Sequence, residues 1–298
     1  MLFRSAAEMG LAAYGHVVEA RRFGVAVTAR LDEIEGITVL SPAKVTDISL
    51  GDGVNSLSLE TNDGAITLEA RLVVAADGAN SFVRKHLKIP TTTRDYGQTA
   101  VICNVTPEKP HQGQAFECLT ETGPFAILPH TGKRCGLVWS TNSDNANELV
   151  EMDDERFLSL AQERFGDRLG DFIRLGRRSA YPLKLTRAEQ DVRDRLVLLG
   201  NAAHAIHPIG AQGFNLALRD VAVLAEILAD GGGDPGEGGL LHNYSRWRRS
   251  DQRGTIANSD GMTRLYANPS VLAAALRTTG LIAHAILPSL RQIGRAHV

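Results

Sequence analysis

The sequence predicts an α/β chain, α+β overall. A parallel-sheet domain is interrupted by a mostly antiparallel sheet and followed by C-terminal helices. Three observations predict this. Two short, continuous apolar runs, Leu72–Ala76 and Arg195–Leu199, read as strands buried on both faces. Between them lie several strand-like segments separated by Pro107, Pro110, Gly123-Pro124 and Gly132, the punctuation of an antiparallel sheet. After Arg195–Leu199 the chain turns helical, first over Gln212–Leu228 and then from Leu240 to Leu290, with breaks near Asn268-Pro269 and Pro288.

In chain order, Ala20–Leu31 carries Phe23, Val27 and Leu31 at four-residue intervals and predicts a helix. Ile37–Leu40 and Lys44–Leu50 predict short strands. Ser56–Glu60 and Ala65–Glu69 alternate around Asn62-Asp63-Gly64, which predicts a hairpin. Gln98–Val105, Gln112–Thr120, Phe125–Leu128 and Arg134–Ser140 are the expected strands of the antiparallel sheet, and Asp153–Phe165 is an expected helix. Gly231–Gly236 is a flexible surface loop.

The bulk properties exclude some functions. The net charge of −2 gives no global positive field, and no basic stripe interleaves with aromatics, so nucleic acid is not an expected partner. Cys103, Cys118 and Cys135 have no metal-ligand spacing and fit a reduced compartment. The apolar stretch Val271–Leu290 is broken by Arg277, Gly280, His284 and Pro288, which makes it a poor membrane span. A helix packed on its own domain is the plainer reading of that stretch, and a bilayer-touching surface the sharper one.

Two motifs carry the candidate chemistry. In the first, the run Val73–Ala76 ends at Asp77-Gly78, followed by Ser81 and a helix start bearing Arg84. A carboxylate at a strand's carboxyl edge suits a cofactor crevice, and Gly78 permits close backbone approach. A plain turn with a capping serine explains these residues equally well. The second motif is longer: Leu196–Leu199, then Gly200-Asn201-Ala202-Ala203-His204, His207-Pro208, and Gly210-Ala211-Gln212-Gly213-Phe214-Asn215, ahead of Asp220. Small residues let main chain lie against a flat ring, and a helix start offers unpaired N–H groups to an electron-rich oxygen. A tight strand–helix junction would share that composition. His204 and His207 stand three apart without an acidic or thiolate neighbour, so they read as local hydrogen-bonding residues, and no metal is expected.

The two motifs, in this order and separated by a sheet-rich segment, resemble the flavin-dependent aromatic hydroxylases. Within that family, Gly15-His16-Val17-Val18-Glu19, Gln114–Glu117, Gly123–Pro129, Leu137-Val138-Trp139, Ser179–Leu183 and Gly200–Ala203 look like the 2-octaprenyl-6-methoxyphenol hydroxylase group of ubiquinone biosynthesis. The resemblance implies an FAD-binding Rossmann-like domain with an inserted substrate-domain sheet. It implies cofactor-binding roles for Asp77, Gly78, Arg84, Gly200, Asn201, Ala203, His204, Pro208, Gly210, Ala211, Gln212, Gly213 and Asn215. It further implies NAD(P)H as reductant of FAD, O2, a C4a-hydroperoxyflavin, and a prenylated phenol as substrate. The expected setting is cytoplasmic, peripheral at the inner face of the membrane beside other quinone-biosynthesis proteins. No catalytic base can be named. Alternatives are a family hydroxylase for a soluble aromatic substrate and a non-catalytic partner subunit of a quinone-biosynthesis assembly.

Two positions depart from the commoner family pattern. Asn201 stands where most relatives carry Asp, and Gly210-Ala211-Gln212 where many read Ala-Gly-Gln; Ala211 would be strained if its φ is positive. The family's opening strand and G-x-G-x-x-G turn are not found, so the FAD-binding domain is expected to be incomplete and the fragment inactive. Residues 1–5 and 293–298 match translated short-read sequencing adapters and are expected to derive from them. The expected organisation is 1–90 for the remainder of the FAD-binding domain, 91–185 for the substrate-domain sheet, 186–230 for the second flavin motif, and 231–298 for the C-terminal helices.

Overall fold

The computed structural model describes residues 6–286. Its regular elements are, in order, α1 (Ala20–Asp32), β1 (Ala43–Ser49), β2 (Asn55–Thr61), β3 (Gly64–Ala70), β4 (Val73–Ala75) and α2 (Phe82–His86). Next come β5 (Thr91–Pro107), β6 (Phe116–Thr120), β7 (Gly123–Pro129), β8 (Cys135–Asn142), α3 (Ser143–Glu151), α4 (Asp154–Phe165) and β9 (Phe172–Leu175). The chain continues through β10 (Ser179–Ala188), β11 (Val192–Arg193), β12 (Leu196–Leu198), β13 (His204–Ala205), α5 (Gln212–Gly231), α6 (Gly238–Ala267) and α7 (Val271–Ile286). The adapter expectations for residues 1–5 and 293–298, and the break at Pro288, lie outside the described residues.

Two compact units share the chain. One joins Met1–Glu35, Gln98–Pro182 and Arg264–Val298; the other joins Gly36–Gly97 and Leu183–Thr263. In the first unit β6, β7, β8 and β5 run antiparallel in that order, with β9 paired to the end of β5. Its core is aromatic. The Trp139 ring lies 5.5 Å from Phe125 and 5.5 Å from Phe157, and Phe165 and Phe172 stack at the same centroid distance. Helix α4 begins at Asp153, whose carboxylate accepts from the Arg156 N–H at 2.8 Å, and it turns Phe157, Ala161 and Phe165 to the sheet at four-residue spacing.

The second unit is built around a short three-stranded sheet, β11–β12–β4, in which β12 and β4 are parallel. Strand β12 is buried on both faces. Leu196 and Leu198 join Val73, Ala75 and Val83 in one cluster, while Val197 and its neighbour Leu199 join Leu224, Ile227 and Tyr244 in another. This explains the unbroken apolar run. Strands β1, β2 and β3 form an antiparallel meander, with Thr61 opposite Gly64 across the Asn62-Asp63 turn. Buried Asn55 ties that meander to the main sheet by donating to the carbonyls of Asp194 and Arg195.

Several expectations need correction. Ile37–Leu40 forms no strand; its apolar residues Ile37, Val39 and Leu40 are exposed, and no neighbouring strand pairs with them. Gln112–Ala115 is a turn, because Gln112 and Gly113 adopt φ of 51° and 73°, and β6 begins only at Phe116. Strand β5 starts seven residues earlier than the expected Gln98. Helix α1 forms as expected, yet buries none of its residues. Strand β10 and helix α3 were not anticipated.

Candidate functional site

Parallel pairing of β4 with β12 sets Val73 opposite Leu196 and Ala75 opposite Leu198, and the Leu199 N–H donates to the Ala75 carbonyl at 3.0 Å. The carboxyl ends of the two strands therefore lie side by side. One delivers Asp77-Gly78, the other Gly200-Asn201, to the same edge of the sheet, where ligands of open α/β sheets sit.

Asp77 is exposed, and its Oδ2 accepts from the Val83 N–H at 3.1 Å; Ser81 Oγ accepts from the Arg84 N–H at 3.0 Å. Both side chains thus cap the start of α2. The capping explanation of these residues holds for one oxygen of Asp77 and leaves the rest of the carboxylate facing outward. Gly78 has φ of 82°, and a Cβ there would meet nothing within 4 Å, so open space borders this turn. Arg84 is buried. Its guanidinium donates at 2.6 Å to the Ala202 carbonyl and at 2.6 Å to the Ala79 carbonyl, pinning the first motif to the second.

The second motif leaves β12 at Gly200, whose φ is 58° and whose missing Cβ lets α5 approach, since a Cβ there would lie 3.3 Å from that of Ala217. Gly200, Ala203 and His204 are buried, whereas Asn201 is exposed. His204 Nε2 lies 2.6 Å from Asp220 Oδ2, and Asp220 also accepts from Arg248 Nε at 2.7 Å and Gln252 Nε2 at 3.1 Å. Burial works against the Asp220 carboxylate, yet the hydrogen bonds from His204, Arg248 and Gln252 outweigh it and hold the group below the usual carboxylate range. His207 is buried, and burial pushes its imidazole down to about 4, so it is neutral at physiological pH. Its Nδ1 accepts from the Ile209 N–H, and its carbonyl accepts from Ser259 Oγ on α6.

Beyond half-buried Pro208, Gly210 and Ala211 are consecutive left-handed residues, with φ of 70° and 53°. They swing the chain into α5, a 20-residue helix that starts without a side-chain cap. Its first N–H groups carry the positive end of the helix dipole. The side chains of Gln212 and Asn215 turn back onto the Gly210 and Ala211 carbonyls. Both hydrogen bonds are exposed, so the main chain and these two amides share this surface. A Cβ at Gly210 would meet nothing within 4 Å.

Sequence reasoning marked Asp220 only as the end of the motif and gave no role to Arg248, Gln252 or Ser259. These α6 residues lie 28 to 52 positions from the groups they bind. Among the described residues no group of three or more His, Cys, Asp and Glu side chains is placed to hold a metal ion. Cys103, Cys118 and Cys135 are free thiols.

The fold and this edge define an FAD-binding fold of the flavin monooxygenase type. It is shared with OxyS anhydrotetracycline hydroxylase from Streptomyces rimosus (TM-score 0.70, 22% identity, 93% of this chain and 55% of that one). It is shared also with p-nitrophenol 4-monooxygenase PnpA from Pseudomonas putida (TM-score 0.74, 18% identity, 92% and 70%). Residues 35–259 match the FAD binding domain family, and the chain belongs to that family. Among curated relatives, ubiquinone hydroxylase UbiL of Rhodospirillum rubrum is 40% identical over 95% of this chain and 66% of its own length. The human mitochondrial ubiquinone biosynthesis monooxygenase COQ6 is 29% identical over 94% of this chain and 69% of its own. The chain thus spans about two thirds of the length of these relatives.

The residues present fit FAD. Two turns bordered by open space, an uncapped helix start and an exposed amide at Asn201 offer the small-residue surface and main-chain donors that a flat, electron-rich ring requires.

Proposed function

We propose that the whole protein is an FAD-dependent monooxygenase that hydroxylates a prenylated phenol in ubiquinone biosynthesis, with NAD(P)H and O2 as co-substrates. The observation that carries this reading is the side-by-side delivery of Asp77-Gly78 and Gly200-Asn201 from neighbouring parallel strands. Similarity to proteins named ubiquinone hydroxylase and ubiquinone biosynthesis monooxygenase supports the substrate class.

FAD, once bound and reduced, supplies the oxygen chemistry; the chain supplies placement and charge. Main chain from Gly210 to Asn215 would meet the pyrimidine edge of the flavin, so that the dipole of α5 offsets negative charge there. Asn201 would bond ribityl hydroxyls, and Asp77 would stand beside the passage used by the nicotinamide. Arg84 acts one step back, holding Ala79 and Ala202 in register. Neutral His207 keeps the loop before Gly210 packed without adding a buried charge there.

The lipid tail of such a substrate suggests work at the inner face of the membrane. Among the described residues no helix is long and apolar enough to cross a bilayer. Helix α7 exposes Val271, Leu272 and Leu276, which supports contact with a membrane surface.

The test is a flavin absorbance spectrum of the full-length protein, followed by complementation of a strain lacking a ubiquinone hydroxylase. Bound flavin with restored ubiquinone is expected. A colourless protein would overturn the cofactor assignment. Flavin without restored quinone would move the substrate to a soluble aromatic compound.

A further inference from the structure

A cavity of about 210 Å³ lies in the Gly36–Gly97 and Leu183–Thr263 unit; its lining takes Ala203 and His204 from the second motif but none of Asp77, Gly78, Asn201 or Gly210–Asn215. Arg187 of β10 lines one side, and Arg249 and Arg253, one helical turn apart on α6, line the other. None of these three guanidiniums has a hydrogen bond or ion pair among the described residues. Like charges at i and i+4 on a helix repel, so their convergence costs free energy unless an anion joins them. Two carboxylates also line the cavity. That of Asp191 accepts from Ser245 Oγ at 2.7 Å, and that of Glu189 is exposed, leaving the cations in excess.

An independent observation points the same way. His204 is 2% exposed, lines this cavity, and spends Nε2 on Asp220, while its Nδ1 is buried without a partner among the described residues. A buried ring nitrogen left unsatisfied is unfavourable, and a hydrogen-bonding group of a ligand in the cavity would relieve that cost. Three arginines are a donor set that recognises a phosphoryl group, with His204 beside them as a further polar contact.

The geometry points to a phosphate-binding pocket between β10, the Ala203-His204 segment and α6, beside the second motif and away from the Asp77-Gly78 and Gly210–Asn215 turns. Its volume of about 210 Å³ lies below the ~300–1,000 Å³ of pockets that enclose drug-sized ligands, which suits a phosphate and the first atoms of its carrier better than a whole dinucleotide. Through His204 and Asp220, occupancy is coupled to the second motif, so the ligand acts as an effector of that segment. This inference does not depend on the flavin assignment.

Calorimetric titration with inorganic phosphate at constant ionic strength tests it, alongside NMR of the His204 ring nitrogens. Binding that moves the His204 resonances is expected. In the Arg249→Gln/Arg253→Gln double variant, both at exposed positions, the dissociation constant should rise at least tenfold. An unchanged urea midpoint would confirm that the variant is folded. Adenosine 2′,5′-bisphosphate and glycerol 3-phosphate then distinguish a nucleotide from a lipid-type carrier, and equal affinity for both assigns the site to free phosphate. No heat with phosphate, or equal affinity in the double variant, overturns the proposal.

Discussion

The two units are held together by opposite means. In the Gln98–Pro182 unit the core is a run of rings, Phe125, Trp139, Phe157, Phe165 and Phe172, which need only volume and shape from their neighbours. In the other unit apolar clusters flank β12, and to them is added a polar network of Asp220, His204, Arg248 and Gln252, each of which needs a specific partner. Ring packing tolerates conservative exchange, whereas a buried charge network fixes one arrangement and fails when any member is lost. The candidate flavin edge is built on the second kind of core, where position matters more than bulk.

Two truncations of similar cost separate these modes. Phe157→Ala should lower unfolding free energy by about 4 kcal/mol through the cavity it leaves. Asp220→Ala should lower it by about 3 kcal/mol, because buried His204 loses its partner and Arg248 keeps only its pairing with Asp251 at 2.6 Å. Denaturant unfolding measures both. The contrast lies in the repair: Asp220→Leu with Arg248→Met should regain most of the stability without regaining flavin affinity, because the His204 segment loses its anchor. Recovery of both would show that the network sets stability alone.

A second contrast appears with pH. His207 is neutral when folded, its imidazole pushed down to about 4, against an ordinary value of 6.5 in the unfolded chain. Between those values the unfolded chain binds the extra proton, so stability is complete above pH 6.5 and falls as pH drops towards 4, by about 2–3 kcal/mol. His207→Gln should flatten that slope in urea midpoints taken across pH 4 to 7. In the ring-packed unit the thiols of Cys103 and Cys135 are pushed up to about 12 and about 11 by burial, so their contribution is lost only on the alkaline side, above pH 9. An unchanged acid slope in His207→Gln would remove the distinction.

What could be read from the sequence followed from local chemistry. The hairpin was written in Asn62-Asp63-Gly64, the buried strand in Leu196–Leu198, and the helix at Gln212 in the residues that break the chain before it. Ile37–Leu40 misled because β-branched residues suit a strand only when another strand pairs with them, and none does. The long reach from Asp220 to Arg248 and Gln252 left no local trace; only the i, i+4 spacing of the last two hinted at a shared helix face. The pairing of β4 with β12, which sets the two motifs side by side, joins segments more than 120 residues apart and came from the fold alone.

The smallest expected effect tests the one strained position at the candidate edge. Ala211 adopts φ of 53° and ψ of 37°, a region that costs a residue with a Cβ about 1 kcal/mol and costs glycine little. Ala211→Gly relieves that strain but enlarges the freedom of the unfolded chain, an opposing term of about 0.4–1 kcal/mol. The balance is a gain of about 0–0.6 kcal/mol, read as an unchanged or slightly raised urea midpoint at unchanged slope. The same substitution in the aromatic unit, at Ala161 of α4, removes a buried methyl group and a helix former, and should cost about 1 kcal/mol instead. If Ala211→Gly also proves destabilising, position 211 is not held left-handed in solution, and the main-chain surface ascribed to Gly210–Asn215 has a different shape.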